Sequence, residues 1–414
     1  MTDDARLDLA TTEYPTPELV ECPYAFYAQL REEAPVHRLP NGDYVLTRWQ
    51  DIACVSRHLD LFSCFLGKVN PDWGKAFASD EDTGEEKLSP WPLPFTDPPE
   101  HRLKRQLMQQ LVTRDRLKSF EPMIREVSDQ LIDAFVDLGE VDFKAAFADE
   151  LPPLVMLRIF DVPKEDEAMI RGWMLSSQGQ GFRHATEEQK RAQVEGLTNA
   201  RAYFRETILD RQANPRPDFL SDLVKMKVER DGQLDLRYLV GEVTNLYSAA
   251  YHNTVYMLAS TLELLLRNSS EMQRVREDPT LIRFAIEESL RLESPVQWLQ
   301  RVTLTDVEIE GVVIPEGSVV LLMYGAANRD ERKFDDPERF WVERPWVARD
   351  QLGFGDGPRL CVGAPLARLE GEIAFEQLLK RLKRIRLSDR NDYAHVTTVN
   401  HRGPKALHIE FEKA

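Results

Sequence analysis

Apolar residues at helical spacing dominate the chain. A pattern over residues 236–266 repeats apolar side chains at steps of three and four, and another follows Cys361 over residues 364–387. A third covers residues 116–138, with apolar positions at Phe120, Ile124, Val127, Leu131 and Phe135. Such steps place the side chains on one face of an amphipathic helix. The pattern therefore predicts a mainly α protein.

Strand patterns are few and short. YVLT at 44–47 is one, and VEIEGVVIPEGSVVLLMY at 307–324 predicts paired strands around Gly311 and a Pro-Glu-Gly turn. The Pro-rich segments 71–94 and 214–217 do not resemble domain linkers, because the motifs described below lie on both sides of each. We expect one domain over residues 1–414, mainly α with small β-sheets.

Composition excludes several classes of protein. The net charge of -17 argues against binding to nucleic acid or to an anionic membrane surface. No apolar run approaches the ~20 residues that span a bilayer. The start of the chain lacks a signal-peptide pattern, and the four cysteines form no C-x-x-C pair. We expect a soluble, cytoplasmic protein.

The segment LGFGDGPRLCVG at 352–363 presents one cysteine, Cys361, at the start of a predicted helix. A buried structural thiol and a nucleophile are both open, although a nucleophile needs a neighbouring base and the cation Arg359 does not supply one. A phosphate-binding loop is less consistent with this segment, since no Lys-Ser/Thr pair follows its glycines. As a metal ligand, a thiolate would be favoured by the helix N-terminus and by Arg359. A lone thiolate suits an iron whose other positions a macrocycle fills.

The same segment resembles the haem-binding loop of the cytochromes P-450, through Phe354-x-x-Gly357-x-Arg359-x-Cys361-x-Gly363. The resemblance implies the P-450 fold and a haem b cofactor, iron protoporphyrin IX. It implies that Cys361 is the iron ligand, and that Phe354 and Gly363 belong to the haem-binding loop. Thiolate ligation favours cleavage of the O–O bond.

Further segments resemble bacterial members of that family. Glu288-Ser-Leu-Arg291 resembles its E-x-x-R motif, and Pro337-Glu-Arg-Phe340 resembles its P-E-R-F motif, whose arginine, here Arg339, would join the Glu288–Arg291 pair. Charge-assisted donors are needed for the two haem propionates. The resemblance assigns them to His101, Arg105, Arg301 and Arg359.

The central helix departs from the family pattern A/G-G-x-D/E-T. It reads Ala249-Ala250-Tyr251-His252-Asn253-Thr254, so the acid is replaced by His252 and the alcohol by Asn253. These residues and Thr254 are the catalytic candidates for delivering protons. His252 could shuttle protons near neutral pH or could be structural and turned away. Asn253 could hold a water or a substrate polar group, and Thr254, roughly 100° further round the helix, would not replace the missing hydroxyl.

Family resemblance also gives candidate pocket residues, each of which could equally be core. They are Tyr247, Tyr251, Val296, Trp298, Leu299 and Val399. Their aromatic and aliphatic character predicts a small apolar substrate: a terpenoid, a steroid or an aromatic compound. We expect Trp298 to narrow the space above the haem.

The resemblance implies a monooxygenase that receives electrons from a ferredoxin and its NAD(P)H-dependent reductase. Basic residues that could form the docking surface are Arg102, Lys104, Arg116, Lys118 and Arg368. Two alternatives stay open. The His252-Asn253 pair could belong to a peroxygenase or to an enzyme of oxidative coupling or dealkylation. A third possibility is a haem-thiolate protein that binds or senses without turnover.

Overall fold

A computed structural model describes residues 6–65, 92–177, 186–396 and 400–414. The helices that precede the longest one are α1 (Pro17–Glu21), α2 (Tyr24–Glu33), α3 (Trp49–Arg57), α4 (Glu100–Met108), α5 (Arg114–Asp133), α6 (Leu151–Ile159), α7 (Lys164–Ser177), α8 (Glu187–Ala213) and α9 (Phe219–Asp231). They are followed by α10 (Leu236–Arg267), α11 (Ser269–Glu277), α12 (Ile282–Leu292), α13 (Tyr324–Ala327), α14 (Val347–Asp350) and α15 (Ala364–Arg381). The prediction of a mainly α fold is confirmed.

Helix α10 forms the central axis of the fold. Asp235 caps its start by accepting a hydrogen bond from the Tyr238 backbone N–H at 3.0 Å. At its end, the Asn268 side chain donates to the Leu264 carbonyl at 2.8 Å. Helices α6, α8 and α12 pack around it. The predicted helix over 236–266 therefore matches the structure almost residue for residue.

The strands form three small sheets. Their bounds are β1 (Val36–Arg38), β2 (Tyr44–Leu46), β3 (Phe62–Ser63), β4 (Glu140–Asp142), β5 (Leu299–Thr303), β6 (Val307–Ile309), β7 (Val312–Ile314), β8 (Val319–Leu322), β9 (Leu382–Leu387) and β10 (His408–Lys413). The largest sheet has the order β1-β2-β8-β5-β3, and the others are β4-β10-β9 and β6-β7. The predicted strands at 44–47 and 307–324 are confirmed.

The region 307–324 pairs in two different ways. β6 and β7 form an antiparallel hairpin, with positive φ at both Glu310 and Gly311, as a two-residue hairpin loop requires. β8 instead pairs in parallel with β2 and antiparallel with β5. Strand β5 is thereby fixed in the sheet. Its residues Leu299 and Arg301 are two positions apart, so their side chains lie on the same face.

Two helices end earlier than their sequence patterns predict. Helix α5 ends at Asp133. Phe135 lies in the turn that follows the helix, and its side chain is buried. The pattern after Cys361 stops at Arg381, and residues 382–387 form β9 because β10 pairs with them. In both places tertiary contacts decide the end of the helix.

One hydrophobic core extends from Leu93 to Phe411 in sequence and surrounds α10. Two smaller clusters lie around the large sheet and around α2. Among the described helices, none combines the length and the apolar character that crossing a bilayer requires.

Candidate functional site

The cysteine loop folds back on itself before α15. The Cys361 N–H donates to the Phe354 carbonyl at 2.8 Å. Gly355 and Gly357 have φ of 77° and 65°, a region that side chains disfavour. At Gly357 a Cβ atom would also lie 2.9 Å from Cγ of Arg57. The glycines therefore allow the tight path that presents Cys361.

Cys361 lies within the protein and yet keeps an accessible side chain. Burial raises the pKa of its thiol, whereas hydrogen bonds from the Gly363 and Ala364 N–H groups and the charges of Arg105 and Arg368 lower that pKa. The sulfur is therefore surrounded by protein and can still be reached by a ligand. Arg359 was predicted to favour the thiolate, but the charges that lower the pKa of Cys361 are those of Arg105 and Arg368.

The four residues predicted to bind the propionates converge beside this loop. Burial lowers the pKa of His101 to about 4, and the charges of Arg359, Arg105 and Arg301 lower it further. Helix α4 carries His101 and Arg105 one turn apart, while β5 supplies Arg301 and the loop supplies Arg359. Three separate segments thus place four nitrogen donors together.

Several of these donors have no acceptor among the residues that the structure describes. Arg359 Nη2 donates to Asp97 Oδ1 at 3.1 Å, but its Nε and Nη1 are buried without a hydrogen bond. Arg301 Nη1 donates to the Gln300 carbonyl at 2.8 Å, and its Nε is likewise unsatisfied. Buried polar atoms are normally paired. The arrangement fits a ligand that brings carboxylate groups.

The E-x-x-R pair forms as predicted and is fully buried. Arg291 Nε and Nη2 each donate to a carboxylate oxygen of Glu288 at 2.8 Å. The third member is Arg344, whose Nε lies 2.9 Å from Glu288 Oε1. The prediction of Arg339 is wrong, because its side chain is exposed and only its carbonyl accepts bonds from Arg291 and Arg344.

Helix α10 presents Ala249 and Asn253 on one accessible face. Asn253 Nδ2 makes a long bond of 3.4 Å to the Ala249 carbonyl, and its Oδ1 is buried without a partner. Thr254 is 5% exposed and lies about 140° around the helix from Ala249. Its hydroxyl therefore faces the core, and the structure does not support Thr254 as a catalytic residue.

His252 packs among aromatic rings. Its imidazole stacks on Tyr256 at 5.8 Å and contacts Tyr251 at 4.4 Å between ring centres. Burial lowers its pKa to about 4, with smaller effects from His401 and Lys144. His252 is thus neutral at pH 7 and lies next to the C-terminal segment.

The tyrosines predicted to line a pocket face the other way. Tyr247 and Tyr251 lie about 160° and 200° around α10 from Ala249 and are 1% and 5% exposed. Arg171 of α7 is close enough to act on both hydroxyls. The prediction is corrected: the two tyrosines fill the interface with neighbouring helices.

Trp298 also differs from the prediction. It is 7% exposed and packs in the cluster of Tyr14, Phe26 and Tyr27 under α2, so it does not narrow a pocket. Leu299, the next residue, is 41% exposed, as a cavity-lining side chain would be. Val296 is partly buried and pairs with His401. Val399 lies outside the described residues.

Of the five basic residues proposed for docking, only Arg102 and Lys118 are exposed. Lys104 is fully buried between Glu100 at 3.1 Å and Glu242 at 3.3 Å. Arg116 pairs with Asp222, and Arg368 pairs with Glu287 beneath the Phe354 ring. Lys104, Arg116 and Arg368 are thus each paired with a carboxylate, so the structure favours Arg102 and Lys118 over them as docking residues.

Comparisons with known proteins agree with this geometry. The family model "Cytochrome P450" matches residues 168–395. The cyclomarin C epoxidase CymV of Salinispora arenicola (strain CNS-205) is 33% identical over 386 residues, 92% of this chain and 94% of that protein. The 6-deoxyerythronolide B hydroxylase of Saccharopolyspora erythraea is 30% identical over 381 residues, 88% of this chain and 89% of that protein.

Solved structures give the same result. Cytochrome P450 CYP109Q5 from Chondromyces apiculatus superimposes with a TM-score of 0.85 at 29% identity, covering 98% of this chain and 99% of that chain. The chain belongs to the cytochrome P450 family. It is therefore an oxidoreductase of the monooxygenase class, and its cofactor is haem b.

Proposed function

We propose that the protein is a haem-thiolate monooxygenase that inserts one oxygen atom of dioxygen into a small, mainly apolar molecule, with Cys361 as the iron ligand. The observation that carries the proposal is the accessible but enclosed Cys361 thiol beside His101, Arg105, Arg301 and Arg359. Bound haem supplies the oxygen-activating chemistry. The chain's own residues hold the cofactor and orient the substrate.

The three arginines and the neutral His101 hold the two haem propionates in this proposal. The buried nitrogens of Arg359 and Arg301 that lack acceptors would donate to the carboxylates. Such charge-assisted bonds are shorter and stronger than neutral ones. Phe354 and Gly363 contribute as parts of the loop: the Phe354 carbonyl fixes the Cys361 backbone, and the Gly363 N–H bonds the sulfur.

On the other side of the haem, we propose that Asn253 holds a water or a substrate polar group that completes proton delivery. Its free Oδ1 supports this role. His252 is adjacent, but the tyrosines cover much of its ring. Leu299, Val296 and Val399 are proposed as apolar contacts, consistent with a terpenoid, steroid or aromatic substrate.

We further propose electron supply from a ferredoxin with an NAD(P)H-dependent reductase, in the cytoplasm. Arg102 supports an electrostatic encounter, because it is exposed on α4 directly after His101. The cysteines are all free, and Cys22 and Cys54 are exposed, which suits a reducing compartment. Turnover should fall as salt screens this encounter.

A second function, peroxygenase activity, is favoured by one observation. The accessible face of α10 offers Asn253 where the family has an alcohol, and Thr254 points into the core. Hydrogen peroxide already carries the protons and electrons that the other route must deliver.

The test compares the two routes on one panel of terpenoid, steroid and aromatic compounds. The haem-loaded protein is supplied either with ferredoxin, reductase and NADH under ¹⁸O-labelled dioxygen, or with hydrogen peroxide alone. Monooxygenase function predicts products that carry one labelled oxygen in the first case. Faster turnover with peroxide would favour the second function, and absence of labelled product in the dioxygen case would contradict the first.

A further inference from the structure

Two histidines that are far apart in sequence meet where the C-terminal segment crosses α10. Residues 400–402 pair with the segment after α12: the Gln297 N–H donates to the Asn400 carbonyl at 2.8 Å, and the Arg402 N–H donates to the Pro295 carbonyl at 2.9 Å. His401 forms an antiparallel bridge with Val296 between them. The backbone at His401 is thus fixed on both sides.

Alternation along this extended segment orients His401 towards α10. The Arg402 side chain points away, since it donates to Glu293 at 3.1 Å and to the Glu21 carbonyl at 2.5 Å. Gly403 faces α10, because a Cβ there would lie 2.3 Å from Cδ1 of Tyr256. Residues two apart in an extended segment share a face. His401 therefore faces α10 together with Gly403.

His252 meets it from the helix. Its ring stacks on Tyr256, the same side chain that Gly403 contacts, and His401 is near enough that protonation of either imidazole would disfavour protonation of the other. Both histidines are partly accessible. The next residue on the helix is Asn253, the proposed polar contact near the haem.

The surroundings of this pair carry almost no net charge. Burial lowers the pKa of both imidazoles to about 4, so both are neutral at pH 7. Lys144, a cation that also acts on His252, is bound to both carboxylate oxygens of Asp149 at 2.9 and 2.8 Å. Burial keeps the Tyr251 and Tyr256 phenols protonated by raising their pKa.

A neutral imidazole has one donor and one acceptor nitrogen. Two of them side by side suit an uncharged group that both donates and accepts, and a hydroxyl is the simplest such group. Among the described residues around the pair, an anion would find no net positive charge and a cation no net negative charge.

We propose that His252 and His401 form a recognition site for a hydroxyl group, so that the substrate is an otherwise apolar alcohol or phenol. This inference rests on the proposed monooxygenase function and narrows its substrate class. The site fixes where the hydroxyl lies relative to Asn253, and hence which carbon is presented for oxidation.

The test uses imidazole ligands that coordinate the haem iron directly. The haem-loaded full-length protein is titrated with 4-phenylimidazole and with its ortho-, meta- and para-hydroxyphenyl analogues, and binding is read from the Soret band. The same titrations are made on His252→Phe, His401→Phe and His401→Gln. His58→Gln, in which an exposed histidine is changed, is the control.

We expect at least one hydroxylated isomer to bind roughly fivefold to tenfold tighter than 4-phenylimidazole, the gain of about one buried hydrogen bond. Each Phe variant should lose this gain while still binding 4-phenylimidazole, whereas His401→Gln and the control should keep it. The inference is overturned if no isomer gains affinity, or if the gain survives both Phe variants. Loss of the thiolate spectrum of the reduced, CO-treated protein would instead overturn the proposed function.

Discussion

Arg359 donates to Asp97 across 3.1 Å, and two buried nitrogens of the same guanidinium have no acceptor among the described residues. Asp97 is in turn held by the Cys64 N–H at 2.9 Å and by the Ser63 hydroxyl. The carboxylate therefore orients the guanidinium, and the remaining donors point to a ligand.

Replacing Arg359 with Gln should weaken haem retention. The change removes charge-assisted bonds worth about 1.5–3 kcal/mol, so haem transfer to apomyoglobin should accelerate roughly tenfold to a hundredfold. Arg349→Gln is the matched control, because Arg349 is 66% exposed and pairs only with its neighbour Asp350. Equal haem loss from the two variants would contradict the propionate role.

The Glu288–Arg291–Arg344 cluster predicts unequal effects of two nearby arginines. Arg344→Gln leaves buried charge uncompensated and should lower the free energy of unfolding by about 3–5 kcal/mol. Arg339→Gln should have a minor effect, since the Arg339 side chain is exposed. Urea unfolding of the haem-loaded variants measures both. A larger loss at Arg339 than at Arg344 would show that the cluster is assigned wrongly.

Substitutions at the adjacent residues Trp298 and Leu299 should affect different properties, folding stability at Trp298 and ligand binding at Leu299. Trp298→Ala removes a ring from the cluster under α2 and should cost about 3–5 kcal/mol of folding stability. Trp298→Phe should leave azole affinity unchanged, whereas Leu299→Trp should weaken it by filling accessible space. Spectral titration with 4-phenylimidazole checks this, and the reverse ranking would restore Trp298 to the pocket.

Stability should depend on pH through His401. Its folded-state pKa of about 4 lies below the ordinary value of 6.5, so the unfolded chain binds a proton that the folded chain excludes between these values. The contribution is fully present above pH 6.5 and is lost as the pH falls towards 4.

His401→Gln should therefore reduce the slope of unfolding free energy against pH in that window by up to about 1.4 kcal/mol per pH unit. Urea unfolding of the haem-loaded protein at several pH values measures the slope. His58→Gln, at an exposed site, should leave it as in the unchanged protein. An unaltered slope in His401→Gln would refute the burial of a neutral imidazole.

The sequence patterns correctly predicted those features that depend on residues close together in the chain. The apolar stripe was sufficient to predict α10, because the residues that pack in the core recur with the period of a helix over its 32 residues. Residues 382–387 were expected to be helical, and only the distant β10 makes them a strand. Spacing along α4 correctly placed His101 with Arg105, because one helix carries both.

Side-chain direction was harder to predict. The sequence does not reveal which face of α10 or of the Trp298 segment meets the core, so Tyr247, Tyr251 and Trp298 were assigned to the wrong side. Arg344 was missed because the chain between Arg339 and Arg344 turns back on the Glu288 carboxylate. Nothing local marks His401, whose position depends on pairing with residues 295–297.

The bond from Cys361 to haem iron is the central claim, and the spectrum of the reduced, CO-treated protein tests it most directly. We predict a Soret band at the long wavelength typical of thiolate ligation, retained in Cys22→Ser, Cys54→Ser and Cys64→Ser and lost in Cys361→Ser. A haem-loaded protein without that band, or a Cys361→Ser variant that keeps it, would contradict the account.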